Sequence, residues 1–537
     1  MMMMMMMMLV LIGVCVLAMG TKTMEVLWWR PRRMEEHFSK QGIRGPPYRF
    51  LFGNVKEMVA LMLHSSSKPM APHNSHNILP RVLSFYTHWK KIYGSTFLLW
   101  FGPTPRLAVA DPDLIRDILV SQAGLFERYE SHPLVRQLEG EGLVSLRGEK
   151  WAHHRKVLSP TFHLDNLKMI IPLVGKTVVD MLAEWETVSS EEEEVEVDVS
   201  EWFQGVTEDA ITRTAFGQSY DDGKAVFQLQ AQQMVFAAEA FRKVFIPGYR
   251  FLPTEKNMIT WKLDKEVKRN LMMLIGRRKE NSNPTSCNQG GAKDLLGLMI
   301  NASTAAKKRN NSKNSIDGAS PTAEAIPIHD IVEECKTFFF AGKQTTSNLL
   351  AWTTVLLAMH PEWQERARDE VLEVCGSSHD IPTKEQLGKL KTLGMIINET
   401  LRLYPPAVAM IRRAKADVRL GGYDIPCGTE LLIPIMAVHH DQRLWGPDAA
   451  QFNPSRFADG VARAARHPNA FLPFGMGARM CIGQNLAVLE TKLAIAIILQ
   501  RFSFRLSPSY VHAPTVLMLL YPNYGAPVLF RSLPKPS

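Results

Sequence analysis

A mainly α-helical chain with small β-sheets, carried behind one N-terminal transmembrane helix, is the fold class the sequence predicts. Three observations predict it. Residues 1–20 are uncharged and apolar. Asp330 to Met359, and the series Leu486, Leu489, Leu493 and Ile497, carry apolar residues at helical spacing. Runs near 96–110 and 418–436 are short and alternate as strands do. The 537 residues are 46% hydrophobic and 21% charged, with 34 Gly and 33 Pro, which fits a globular chain with a sizeable core and excludes a disordered or fibrous one.

In chain order the apolar run comes first. Eight methionines lead into Leu9, Val10, Leu11, Ile12 and Val14; as a helix the run spans roughly 30 Å, enough to cross a hydrocarbon core. Lys22, Arg30, Arg32 and Arg33 follow it and no charged side chain precedes it, so the positive-inside bias leaves the rest of the chain cytosolic. A cleaved signal peptide is the alternative, since Ala18-Met-Gly20 loosely resembles a cleavage site, but the basic n-region is missing. The transmembrane anchor is therefore assigned to residues 1–21, a basic, Pro-rich hinge ending in Arg44-Gly-Pro-Pro47 to 22–47, and one large body to 48–537. Inside the body, 302–325 reads as a polar surface loop and Glu191 to Glu194 as a solvated run.

Charge and cysteine usage narrow the function. The 62 Lys and Arg against 53 Asp and Glu give +9, spread without dense blocks. Nucleic acid is not indicated; an anionic membrane surface or an acidic partner protein suits the excess. The six cysteines are too sparse for a disulfide framework, and no Cys-x-x-Cys pair suggests zinc.

The sharpest local signal is Phe474-Gly-Met-Gly477-Ala-Arg479-Met-Cys481-Ile-Gly483, directly before a helical pattern. Gly475 and Gly477 permit a tight loop, and Gly483 removes a Cβ where something bulky must come close. The sulfur sits where a helix begins, and backbone N–H groups and the helix dipole favour thiolate there, the form a metal needs. This spacing resembles the haem-binding loop of the cytochrome P-450 superfamily, with Cys481 as the axial thiolate and iron protoporphyrin IX (haem b) as the implied cofactor.

The resemblance extends over nearly the whole chain and implies the P-450 fold behind the anchor. Glu399-Thr-Leu-Arg402 places an acid and a base on one helix face, and the family joins them through an arginine matching Arg456 into a structural network. Trp151-Ala-His-His-Arg155 puts an indole N–H and a guanidinium at i and i+4; with Arg479, and with Arg412 ten residues after Arg402, the family uses such groups to hold the haem propionates. His153, His154, His439 and His440 lack further ligands at usable spacing and read as structural.

Ala341-Gly342-Lys343-Gln344-Thr345-Thr346 resembles the oxygen-binding stretch of the family's long central helix, where a Gly and a back-bonding Thr invite a local bend. The family has an acid before the threonine; Gln344 replaces it and cannot relay a proton by ionising, so Thr345 and ordered water are assigned to delivery, with Gln344 beside them. This variant and the preceding Phe338-Phe339-Phe340 run resemble the plant microsomal subgroup that inactivates brassinosteroids by side-chain (C-26) hydroxylation. The resemblance implies a monooxygenase of the endoplasmic reticulum membrane acting on a lipophilic small molecule. No glycine-rich dinucleotide fingerprint occurs, so electrons come from another protein; the resemblance implies an NADPH-dependent flavoprotein reductase. Fatty acids or cytokinins are the alternative substrates, and a non-catalytic haem carrier the alternative class, against which Thr345 argues. Pocket walls are expected from about 125–145 and 225–260.

Overall fold

The computed structural model describes the chain apart from residues 1, 68–69, 71–74, 189–193, 217–219, 242–250, 281–294, 302–325, 377–379 and 535–537. The polar loop expected at 302–325 and Glu191 to Glu193 thus lie outside the described residues.

Helix Ile328–Met359 is the axis of the fold. Residues 331–339 and 346–358 are buried, Glu333, Glu334 and Lys336 among them, so its neighbours supply polar partners as well as apolar packing, and the window 340–345 between them is half-buried. Helices Val199–Phe216, Lys391–Leu403 and Gln484–Arg501 pack around it, with Gln484–Arg501 also against Ile171–Val188. Helix runs uninterrupted through Gly342. Gly342 also has a packing reason, because a Cβ there would lie 2.5 Å from Ile211 Cγ1. Glycine lets helix Val199–Phe216 approach, and the propensity cost at this position is offset by packing.

The two alternating runs form sheet, though not as two simple hairpins. Strands Phe97–Phe101 and Thr104–Ala108 pair antiparallel, and the latter runs parallel to Glu430–Ile433, which pairs with Met410–Ala414 and through it with Phe126–Arg128. Residues 418–425 form a separate hairpin, because Gly421 and Gly422 take φ of 55° and 87° and supply the tight turn between Val418–Leu420 and Tyr423–Ile425. A three-stranded sheet, Val195–Asp198, Pro527–Ser532 and Phe502–Leu506, ties the C-terminus to the middle of the chain.

Within the segment expected as a hinge, 22–47, most of the chain is helical. Helix continues from Met2–Met24 through one π-turn, Glu25–Trp29, into Arg30–Lys40, whose Pro31, Met34 and Phe38 are buried against the body. Proline inside a helix leaves the carbonyl four residues back without a donor. Here the Tyr48 hydroxyl donates to Leu27 O at 2.6 Å and fills that vacancy. The Arg44-Gly-Pro-Pro47 step does end the helical region but is strapped to the sheet: Leu98 N donates to Arg44 O at 3.0 Å, and a Cβ on Gly45 would overlap Leu98 O at 1.7 Å. The stretch Met3–Lys40 includes a segment long and apolar enough to cross a membrane, with mean hydropathy 2.5 and none of it buried in the protein.

Candidate active site

The cysteine loop folds as its glycines require. Gly475 and Gly477 take φ of 75° and 73°, and a Cβ on Gly477 would stand 2.3 Å from Leu119 O. Cys481 N donates to Phe474 O at 2.9 Å, closing the loop, and helix Gln484–Arg501 begins just beyond. Burial pushes the Cys481 thiol up, while N–H groups of Gly483 and Gln484 and the Arg155 guanidinium pull it down. Cys481, exposed by area, lines a cavity of about 1150 Å³. Gly483 has an ordinary φ of −88°, and a Cβ there would meet no protein atom closer than Cys481 Sγ at 3.9 Å. Nothing in the protein demands glycine at 483; an added methyl would fill space beside the sulfur.

Around the same cavity stand Trp151 and Arg155 from helix Gly148–Leu158, Arg412 from strand Met410–Ala414, and Arg479 from the turn Gly477–Arg479. Strand register puts Arg412 directly opposite Arg128, a like-charge pairing that destabilises a sheet on its own. Burial, then Arg479 and Arg128, bring the Arg412 guanidinium down to about 10. Arg479 is lowered by burial, then by Arg128 and Arg147, against the opposing pull of Glu127. Arg128 Nη2 donates to both carboxylate oxygens of Glu139, at 2.8 and 2.9 Å, but among the described residues Arg155, Arg412 and Arg479 have no carboxylate ion-pair partner. Crowded, half-buried cations without counter-charge call for an anion with several acceptor oxygens. Trp151 carries a second load beyond that expected of it, with the Arg479 guanidinium 4.3 Å from its ring centre. Arg479 also donates to Leu146 O at 3.0 Å.

Across the cavity, the half-buried window of the central helix presents Ala341, Gly342, Thr345 and Thr346. Thr345 Oγ1 donates to Ala341 O at 2.7 Å. Gln344 does not line the cavity, and Lys343 turns away to pair with Glu208. Cys481, Trp151, Arg155, Arg412, Arg479 and Thr345 therefore meet around one space, and Gln344 stands apart from it. Walls come from 128–139, Leu143 and Val144, as expected of 125–145. From 225–260 only Ala240 and Phe251 contribute, 242–250 lying outside the described residues. Leu517, Met518 and Leu519 near the C-terminus, and Val26, Leu27 and Arg30 of the N-terminal helix, complete the lining and had no sequence signal. Arg128 was also missed, because only strand register brings it to Arg412.

Glu399 and Arg402 lie away from the cavity and are fully buried, paired at 2.7 and 2.8 Å. Arg402 also donates to the carbonyls of His439, Ala449 and Gln451. Glu399 Oε1 accepts from Asn453 N at 2.9 Å, with Arg456 Nε at 3.5 Å. The pair knits the helix Lys391–Leu403 to the loop ahead of the cysteine.

A helix-start cysteine and a cradle of cations about one large cavity in a mainly helical body define a haem-thiolate monooxygenase. The donor set fits the cofactor: sulfur for iron, a glycine gap beside it, and guanidinium groups for propionates. The chain belongs to the cytochrome P450 family, whose model matches residues 77–526. It is 71% identical over 514 residues to Cytochrome P450 734A6 of Oryza sativa subsp. japonica, covering 95% of this chain and 93% of that protein. It is 65% identical to Cytochrome P450 734A1 of Arabidopsis thaliana, with 95% and 94% covered. Cytochrome P450 CYP72A616 of Paris polyphylla is 43% identical over 95% of both chains. The family binds haem through a cysteine thiolate, and the bound haem supplies reductive dioxygen activation that places one oxygen atom in the substrate.

Proposed function

We propose that this enzyme hydroxylates a steroid of the brassinosteroid class near the end of its side chain (C-26), inactivating it, at the endoplasmic reticulum membrane and with electrons from an NADPH-dependent flavoprotein reductase. The subgroup resemblance of Phe338-Phe339-Phe340-Ala-Gly-Lys-Gln-Thr-Thr346 suggests the steroid. The observation that carries the lipophilic class is the reach of the cavity, from Cys481 to Val26, Leu27 and Arg30 at the end of the apolar N-terminal span. A sparingly soluble substrate then passes from bilayer to site along apolar walls, and position rather than intrinsic reactivity selects the carbon.

Cys481 is assigned to iron, and Trp151, Arg155, Arg412 and Arg479 to the propionates. Thr345 holds a proton at Oγ1 and passes it on through water, and Gln344, which stands apart from the cavity, takes no part in that relay. Spectral titration and reductase-supported turnover with brassinosteroids, long-chain fatty acids and cytokinins, run in parallel, test the substrate. Binding and turnover of fatty acids or cytokinins with none for steroids overturns the steroid reading. Cys481→Ala is expected to abolish the thiolate-type carbon-monoxide spectrum.

A further inference from the structure

Glu333 and Glu334 lie one to two turns before the oxygen-binding window of the central helix and are almost completely buried. Both carboxylates reach away from their own helix to the chain between helices Pro133–Glu139 and Gly148–Leu158. Glu333 Oε2 accepts from Glu141 N at 2.9 Å, Glu334 Oε2 accepts from Leu143 N at 2.8 Å, and Thr337 Oγ1 donates to Glu139 O at 2.7 Å. The backbone fits this grip only through glycine: a Cβ on Gly140 would stand 2.5 Å from Glu333 O, and one on Gly142 would stand 2.5 Å from Thr337 Oγ1 and 2.6 Å from Glu334 Oε2.

Glu334 does more than its neighbour. Its other oxygen, Oε1, is 2.6 Å from His154 Nδ1, and both side chains are buried. His154 belongs to the helix that aims Trp151 and Arg155 into the cavity. The chain that Glu334 grips is the cavity wall at Leu143 and Val144, and its carbonyls at Val144 and Leu146 accept from Arg128 and Arg479. One carboxylate on the central helix thus holds the wall, the helix carrying two cavity residues, and, one bond further, two arginines.

We propose that Glu334 is a positioning residue that sets the distance between the substrate wall with its anion cradle and the oxygen-binding face at Thr345. His154, read from sequence as merely structural, is the second half of this device. The inference rests on the haem-propionate assignment of Trp151, Arg155 and Arg479 but not on the identity of the substrate.

The test uses the full-length enzyme with haem and the variants Glu334→Ala, Glu334→Gln and His154→Phe. Glutamine keeps an acceptor for Leu143 N and a group within reach of His154; alanine keeps neither. Amide hydrogen exchange across 139–146 is expected to rise about tenfold in Glu334→Ala, the scale of one lost charge-assisted hydrogen bond. The substrate-induced spectral shift is expected to shrink and product per NADPH to fall, with Glu334→Gln restoring most of each. Should Glu334→Ala fail to hold haem, His154→Phe, which leaves the Leu143 bond in place, is expected to shift haem affinity and the spectrum without loosening 139–143. Wild-type exchange, spectral shift and coupling in Glu334→Ala, or wild-type haem affinity and spectrum in His154→Phe, overturn the proposal. If 139–146 loosens in Glu334→Ala while haem affinity stays at wild type, the propionate assignment fails and the grip itself stands.

Discussion

Replacing Glu399 by alanine is expected to destabilise the folded protein and cost it haem, with no direct effect on the chemistry. The side chain is fully buried and carries two hydrogen bonds from Arg402 and one from Asn453 N. Truncation leaves Arg402 with the carbonyls of His439, Ala449 and Gln451 but no counter-charge. Breaking a buried pair in this way costs about 3–5 kcal/mol. Against a typical total of about 5–15 kcal/mol, the folded-to-unfolded ratio falls by about two to four powers of ten. The loss reaches the loop leading to Cys481 through His439, whose carbonyl accepts from Arg402 and whose ring accepts from Leu472 N at 3.0 Å, two residues before Phe474. Urea unfolding of the haem-loaded protein and haem content after purification measure the effect, and Glu399→Gln, which keeps one acceptor, should fall between. A fully loaded Glu399→Ala protein unfolding within about 1 kcal/mol of wild type would refute the reasoning, since no buried charge would have been uncovered.

Three further outcomes are expected. His76, His439 and His440 are each brought down to about 3 from an ordinary 6.5, chiefly by burial. The unfolded chain then binds more protons than the folded one between those values, so stability is full above about pH 6.5 and drains as pH falls toward 3, at up to about 4 kcal/mol per unit; a flat urea midpoint from pH 7 to 5 would contradict this. Thr345→Ala should consume NADPH with roughly tenfold less product while Thr345→Ser recovers it, measured as product per NADPH. Gly342→Ala should cost about 1–3 kcal/mol by pressing on Ile211, and Ile211→Ala in the same chain should relieve part of it; equal stability of Gly342→Ala and wild type would return the glycine to a conformational role.

What was legible in the sequence was local. The cysteine loop reads directly because two left-handed glycines, an arginine and a sulfur fall within ten residues whose backbone they determine. The pairs Trp151/Arg155 and Glu399/Arg402 read directly because helix geometry alone puts each on one face. What depended on remote register was hidden. Arg128 meets Arg412 through a strand pairing between distant segments, and no local pattern announces it. The docking of 30–40 on the body was hidden for a similar reason: Tyr48, folded back from beyond the turn, supplies the donor that Pro31 cannot give to Leu27 O. Gly342 was noticed as an anomaly, but its contact with Ile211 could not be read locally, because Ile211 arrives from another helix.

The unbroken run from Met2 to Lys40 has a mechanical meaning. With the apolar span in a bilayer, the catalytic body is bolted to a shaft, and its yaw about the membrane normal follows the helical phase. A residue inserted near Thr21 turns the body by about 100° and lifts it by about 1.5 Å, while four return it close to its starting heading. A bilayer is the same in every lateral direction, so the change of heading is silent, and access of a bilayer-dissolved substrate to the mouth near Val26 and Leu27 should follow the lift alone, changing by steps of about 1.5 Å per inserted residue.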